Sequence, residues 1–347
     1  MGFTRLVVHV GTPKTASTAI QRSLFTNRTA LANQSVYLPD TGRLELEPRA
    51  ICHHHLAWEL YAPYRFRKNQ GGWDALAEEL ASVEAETVLL SSEEFYRALK
   101  PGARKEFETR LRSLCDDVTI VVCVREQLSL INSFYGQRVK MLGIQPTFPE
   151  FVEQTLADKL VDFDARFSPW YDVPGLTLRA VPFGGADAPE PLVGLLQAAG
   201  ISTTPDLDLH VDHVNPSLGP VGIEATRVLS RYLAGRFPDF NHHSLVGRKL
   251  HRIAGRGARQ RGWCQNRYWG YDPELAAQVA ERLADANDRF AQAVWGRPSP
   301  LEFALDRPRA VARFEDLPPK QIDKVSRFVL TMADRYQELL AEEAANA

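Results

Sequence analysis

The sequence predicts an α/β fold, with a central parallel sheet flanked by helices in three layers. Three observations predict it. Apolar, β-branched runs recur at residues 6–10, 36–38, 87–90, 118–124 and 176–181. They are nearly continuous rather than alternating, as expected of strands covered on both faces. Amphipathic segments separate them, for example 73–83, 103–114 and 128–139, which is the βαβ pattern of a parallel sheet.

The first strand stops at Gly11 and is followed by Thr12-Pro13-Lys14-Thr15-Ala16-Ser17-Thr18; a helical pattern then starts with Ala19, Ile20 and Leu24. This strand, tight loop and helix place one lysine and a cluster of hydroxyls at a helix N-terminus. Unpaired N–H groups and the helix dipole favour an anion there. The plainer reading is an ordinary turn with Ser17 or Thr18 as N-cap. The loop is not a Walker motif, which needs a second glycine directly before its lysine.

Residues 41–72 are irregular and rich in His, Arg, Tyr and Trp. The strand at 87–90 runs into Ser91-Ser92-Glu93-Glu94, which puts carboxylates at the carboxyl end of a central strand, where ligands gather in such sheets. Alternatively, both glutamates open the next helix, with Ser91 or Ser92 as its cap. The strand at 118–124 ends in Arg125, whose guanidinium suits a phosphate dianion. Ser133 lies about two helical turns further on and can face back toward the same anion.

Residues 210–272 show few strand signals. Between Asp239 and Asp272 there is no acidic residue, while Arg248, Lys249, Arg252, Arg256, Arg259, Arg261 and Arg267 are interspersed with Gly255, Gly257 and Gly262. This stretch reads as a solvated basic loop, a flap over a bound anion, or a grip on an acidic acceptor. Trp263, Tyr268, Trp269 and Tyr271 behind it suit either stacking on a ligand or core packing. Residues 273–295 and 319–343 read as helices. The last begins at Pro318-Pro319 and carries an apolar stripe of Phe328, Val329, Met332, Tyr336, Leu339 and Leu340.

A chain of 347 residues with 44% hydrophobic content fits one α/β domain over residues 1–347. The net charge of −2 gives no global field for nucleic acid. Four scattered cysteines without a CxxC pair, no leader-like N-terminus and no apolar stretch of membrane-span length lead us to expect a cytoplasmic protein. The His53-His54-His55 run beside Cys52 invites a metal reading. Adjacent side chains diverge, however, and no partner cluster has ligand spacing, so no metal is expected.

Two segments resemble motifs of one family. The wording P-K-T-x-[ST]-T-x-x-[QL] of the first loop resembles the 5′-phosphosulfate loop of sulfotransferases that use 3′-phosphoadenosine 5′-phosphosulfate (PAPS). The wording V-x-V-R-E-Q-L-S-L-I-N-S-F-Y resembles their 3′-phosphate strand and helix. The resemblance is specific over residues 5–24 and 118–138, and it implies a P-loop-NTPase-like fold. It also implies transfer of a sulfuryl group to a hydroxyl, in preference to an amine, of a small molecule, glycan or lipid headgroup, with no metal required. Lys14 would then meet the charge on the leaving 5′-phosphate. Thr12, Thr15, Ala16, Ser17 and Thr18 would hold the phosphosulfate, and Arg125 and Ser133 the 3′-phosphate. Glu93, then Glu94, is the candidate base by analogy with glycan-type members, and a histidine of 53–55 by analogy with cytosolic ones. Arg256 and Arg259 would belong to a basic flap, with residues 41–72 and 210–272 on the substrate side.

The family usually has glycine where this chain has Ala16. Asn215-Pro216-Ser217-Leu218 looks like the family's N-x-S segment, and Asn287 stands where bacterial members often carry an asparagine. Two rivals remain open at the level of sequence: a nucleotide-dependent kinase, which would need a metal-holding Asp at a second strand end, and a nucleotide-binding protein without chemistry. Acceptor identity and oligomeric state stay open as well.

Overall fold

The computed structural model describes residues 2–45, 47–143, 146–185, 188–209 and 217–345. Five strands, β1 (Arg5–His9), β2 (Val36–Tyr37), β3 (Thr87–Ser91), β4 (Val118–Val124) and β5 (Leu176–Pro182), form one sheet in the order β2-β3-β1-β4-β5. Every pairing is parallel, with Val7 of β1 opposite Leu89 of β3 and Thr119 of β4. Helices fill the connections: α1 (Ser17–Thr26), α2 (Arg28–Ala32), α3 (His54–Tyr61), α4 (Trp73–Leu80), α5 (Phe95–Ala98), α6 (Pro101–Leu114), α7 (Gln127–Lys140), α8 (Phe148–Ala157), α9 (Phe163–Phe167), α10 (Pro191–Ala198), α11 (Pro220–Arg236), α12 (Leu245–Gln260), α13 (Pro273–Trp295) and α14 (Pro319–Ala345).

The chain divides into two compact units. The first comprises Met1–Glu126, Asp162–Val214 and Leu283–Phe303; the second comprises Gln127–Val161, Asn215–Arg282 and Ala304–Ala347.

The first unit holds the sheet. Val7, Leu89, Val121, Cys123 and Val181 pack with Ile20 and Leu24 of α1, Leu31 of α2, and Leu192, Leu195 and Leu196 of α10. Leu6, Val8, Leu90, Ile120 and Val122 alternate with the sheet members of that cluster and are equally buried. Successive strand residues point to opposite faces, so the unbroken apolar runs reflect a sheet covered on both sides. Burying each such side chain stabilises the unit by about 1.5–3 kcal/mol. Aromatic packing supports α4, α5 and α6: Phe95 stacks on Phe107 at 4.9 Å, and Trp73 and Trp170 each lie 5.9 Å from Phe107.

The second unit is helical. In α14, Val325, Phe328, Val329, Met332, Ala333, Tyr336 and Leu339 are buried at helical spacing, and the helix packs on α11 and α12. Leu340, which the sequence puts in that stripe, is 39% exposed, in the last turns of the helix. Pro319 opens α14, where its missing N–H would be unpaired in any case. A capping box between Thr147 and Glu150 starts α8.

Two expectations need correction. The basic stretch at 248–267 is not a loop through most of its length, because α12 runs to Gln260. Val246, Leu250, Ala254 and Ala258 give it a buried face, and Gly257 is small where the Phe328 ring would stand 3.3 Å from a Cβ. Helical packing thus overrides the glycine content that suggested a loop. The irregular 41–72 segment likewise contains α3, whose His54, His55, Leu56, Ala57 and Trp58 are buried. All four cysteines are free thiols. Among the described residues no helix is long and apolar enough to cross a membrane.

Candidate functional site at the carboxyl ends of the central strands

The sheet order places the carboxyl ends of β3, β1 and β4 side by side. The connection leaving β1 leads toward β3 and β2, and that leaving β4 toward β5. The two connections part between β1 and β4, the kind of position where open α/β sheets form a binding crevice.

The loop after β1 begins with an extension of the ladder. Cys123 N–H donates to Gly11 O at 2.5 Å, and Thr12 N–H donates to Cys123 O at 2.8 Å. Gly11 has φ +89°, and a Cβ there would stand 3.0 Å from Glu93 Cβ. Both the backbone angle and the close approach therefore require glycine. The loop is braced from within. Thr12 Oγ1 donates to Cys123 O at 3.1 Å, Thr15 Oγ1 to Thr12 O at 2.5 Å, and Ser17 Oγ to Thr12 O at 3.4 Å. Thr12, Thr15 and Ser17 are buried, whereas Lys14 and Thr18 are exposed. The single hydroxyl hydrogens of Thr12, Thr15 and Ser17 thus go to backbone carbonyls of β4 and of the loop, and Lys14 and Thr18 are left exposed.

Two non-glycine residues of this loop are left-handed: Lys14 at φ 72° and Ala16 at φ 59°, ψ 21°. Each costs roughly 1–2 kcal/mol relative to a right-handed conformation. A left-handed residue followed by a helical one turns successive N–H groups toward a common point, an anion-binding concavity. Ala16 is the N-cap of α1, so no capping side chain covers the first turn, and that turn holds no acidic residue.

Arg125, directly after β4, flanks this loop. Its Nη1 donates to Lys14 O at 3.5 Å, and its guanidinium lies 5.8 Å from the centroid of Phe183. The loop that carries Lys14 and opens α1 is thus flanked by an arginine from the end of the neighbouring strand.

On the other side of β1, Glu93 follows β3. Gln21 Nε2, from the second turn of α1, donates to Glu93 Oε2 at 2.7 Å, and His54 Nε2 stands 3.8 Å from Glu93 Oε1. His54 Nδ1 is 2.7 Å from Ser92 Oγ, which also accepts Glu94 N–H at 3.2 Å. If Ser92 donates to Nδ1, the Nε2–H of His54 faces Glu93.

Glu94 is differently engaged. Tyr61 donates to its Oε2, and Arg65 and Arg97 lie 3.6 Å from it. Burial pushes its pKa up, but the Tyr61 hydrogen bond and the nearby cations outweigh this and hold it below the usual range. That carboxylate is committed to an ion cluster. Of the two candidate carboxylates, Glu93 is the one packed against the loop.

The three adjacent histidines separate in the same way. His53 is fully buried; its Nε2 donates to Pro39 O at 3.0 Å while Nδ1 accepts Ser91 N–H at 3.0 Å, and burial lowers its pKa to about 4. His55 Nδ1 accepts Arg67 N–H at 3.2 Å, and burial together with Arg67 lowers its pKa. Among the described residues, His54 is the one of the three with a carboxylate oxygen within 4 Å.

Sequence reasoning missed two supporting residues. His9 ends β1 with no exposure; its Nδ1 lies 2.8 Å from Ser91 Oγ and its Nε2 3.8 Å from Cys123 Sγ, and burial holds its pKa at about 4 against the raising effect of Glu93. It joins three strand ends beneath the loop. A histidine closing an otherwise apolar strand was the available signal. Gln21 occupies the last position of the P-K-T-x-[ST]-T-x-x-[QL] wording, and its partner is Glu93.

The remaining candidates belong to the second unit. Ser133 is half-buried on α7, beside Asn132, which donates to Tyr268 O and accepts from Gly270 N–H, both at 3.0 Å. Arg256 and Arg259 are exposed on α12. Trp263, Tyr268, Trp269 and Tyr271 are buried and pack on protein rings, for example Tyr268 on Tyr135 and Trp263 on Phe328, which favours their core reading. Asn215 and Pro216 of the N-x-S resemblance lie outside the described residues. Among the described residues no group of three or more His, Cys, Asp or Glu could hold a metal ion. No family model matches the chain, and no curated protein matches it.

Proposed function

We propose that the chain is a PAPS-dependent sulfotransferase of P-loop-like fold, moving a sulfuryl group to an acceptor hydroxyl. One observation carries the reading: Glu93, whose Cα and Cβ lie against the opening glycine of an uncapped, cation-flanked strand-to-helix loop, has its carboxylate hydrogen-bonded to Gln21 of the helix that loop opens. An anion held there would have a proton acceptor beside it.

The residues fit a phosphosulfate donor. The start of α1 offers N–H groups without a capping side chain, Lys14 is exposed above them, and Arg125 stands at the next strand end. PAPS, when bound, supplies the sulfuryl group. Lys14 neutralises charge on the departing 5′-phosphate, a contribution of the kind worth several kcal/mol in a dry site. Glu93 takes the acceptor proton as the new S–O bond forms and the S–O bond to the phosphate breaks. Gln21 and His54 orient Glu93 through its two oxygens. Ser133 keeps the role that the resemblance implies for it, on sequence alone.

The test is a thermal-shift comparison of 3′,5′-diphosphoadenosine, 5′-AMP and ATP with magnesium. A ligand at a hundred times its Kd stabilises by about 2.7 kcal/mol. The diphosphate should give the largest shift, independent of magnesium. A larger, magnesium-dependent shift with ATP would favour the kinase reading. Lys14→Ala should fold normally yet lose transfer to any acceptor found; retained turnover would remove Lys14 from the mechanism.

A further inference from the structure

The amino-acid sequence commits α12 to an unusual charge arrangement. Arg248, Lys249, Arg252, Arg256 and Arg259 are all exposed on it. At 100° per residue these five lie within an arc of about 100°, and Arg248 to Arg259 span about 16 Å along the axis. The opposite face, with Val246, Leu250, Ala254 and Ala258, is buried.

Elsewhere arginines are matched with acids, as in Arg28–Asp40, Arg110–Asp74, Arg282–Glu153 and Arg289–Asp164. Among the described residues no carboxylate pairs with the five cations of α12. Neighbours within the unit add to the excess. Lys140 of α7 lies 3.9 Å from where a Cβ on Gly255 would be, and burial and Arg259 lower its pKa. The pKa of His251 is lowered by burial and by Arg252, Lys140 and Arg248. Like charges at i,i+3 and i,i+4 cost about 0.2–0.5 kcal/mol per pair. The helix persists because its apolar face packs on α14 and Ser244 caps its start, accepting Gly247 N–H at 2.9 Å.

We propose that this face of α12 docks a linear anionic polysaccharide, one bearing carboxylate or sulfate groups along its length. A line of exposed, uncompensated cations matches a line of anions, and binding releases the counter-ions held by both. The form of the stripe selects this occupant over broader polyanions. The cations form one narrow line along a single helix, which a duplex or a bilayer, each presenting a wide anionic surface, matches less well than a single linear polymer. α12 carries no Phe, Tyr or Trp as a platform for nucleobases, and Leu245 is its one exposed large apolar residue, too little to enter a membrane. A flexible chain can follow the stripe alone.

The experiment measures binding of the full chain, without any nucleotide, to polygalacturonate and to dextran sulfate across a salt series. Uncharged dextran, single-stranded DNA and phosphatidylserine-containing vesicles serve as the other arms. Because no donor is present, the outcome is independent of the proposed transfer. Binding to both anionic polysaccharides, falling with salt, is expected. Arg248→Glu/Arg252→Glu should weaken it roughly tenfold or more and flatten the salt slope by about 1 or more. Lys105→Glu/Lys324→Glu, two exposed lysines on α6 and α14, changes net charge equally and should leave it nearly unaltered. Should the glutamate pair fail to fold, Arg248→Gln/Arg252→Gln against Lys105→Gln/Lys324→Gln provides the same comparison. No binding to either polymer, an equal loss in the two charge-matched variants, or tighter binding to DNA or vesicles would overturn the proposal.

Discussion

Replacing Ala16 by glycine should stabilise the protein, although alanine is the better helix former and Ala16 directly precedes α1. The sign follows from its backbone, φ 59° and ψ 21°. An L-residue held there costs roughly 1–2 kcal/mol, which glycine avoids. Glycine's greater freedom in the unfolded chain returns about 0.5–1 kcal/mol of that gain. The net expectation is a stabilisation of about 0.5–1 kcal/mol. Ala19→Gly, inside the same helix, provides the contrast and should destabilise by about 1 kcal/mol. The two variants then differ by about 1.5–2 kcal/mol and carry opposite signs. Urea unfolding followed by circular dichroism measures both, with equal m-values as the check on two-state behaviour. If Ala16→Gly destabilises as Ala19→Gly does, the loop does not hold a left-handed residue at this point, and the anion concavity drawn from that geometry goes with it.

Glu93→Gln should lower turnover by about 10²–10⁴ while leaving nucleotide binding intact, and Glu94→Gln should instead reduce stability by weakening the pairing with Tyr61, Arg65 and Arg97; steady-state kinetics beside thermal unfolding separates them, and the reverse pattern would exchange their roles. Arg125→Ala should weaken binding of 3′,5′-diphosphoadenosine by about 10–100-fold, the value of one charge-assisted contact, and that of 5′-AMP far less. Equal losses by calorimetry would detach Arg125 from the 3′-phosphate. His9 and His53 are buried with pKa values lowered to about 4 from 6.5, chiefly by burial. The unfolded chain therefore binds more protons between these values, so their contribution is complete above about pH 6.5 and is lost as pH falls toward 4, by up to about 3 kcal/mol per ring. Unfolding free energies that stay flat between pH 7 and 5 would contradict this.

The sheet was legible because its residues obey local rules. The run 118–124 coincides with β4, and the other four runs fall on strands with shifts of one residue or none at most ends, since strands buried on both faces leave an unbroken apolar signature. Helices α13 and α14 were legible from spacing and from the proline that opens α14. Reading failed where tertiary packing decides. The glycines of α12 looked like loop residues, but in the structure they are where neighbouring side chains come close, Phe328 beside Gly257. Similarly, the aromatic residues 263–271 could not be divided between ligand and core from their order, because the choice depends on partners such as Tyr135 and Phe328, far away in sequence.

The candidate site was legible as a set of residue types but not as a division of labour. Glu93 and Glu94 are indistinguishable in the sequence. They separate only because Tyr61, Arg65 and Arg97 surround one and Gly11, Gln21 and His54 surround the other. The same holds for the loop hydroxyls: any of Thr12, Thr15, Ser17 and Thr18 suits an anion by chemistry, yet three of them turn inward to the Cys123 and Thr12 carbonyls. What holds them is the local chain path, which has left-handed residues at Lys14 and Ala16 and brings the Thr12 carbonyl within reach of both Thr15 and Ser17. A site that binds through backbone N–H groups is the hardest kind to read from residue identity, since every residue but proline carries one. The legible trace is the strain, and strain is visible in a sequence only as a missing glycine. Ala16 is that trace here, so its substitution tests the site more directly than removal of any hydroxyl in the loop.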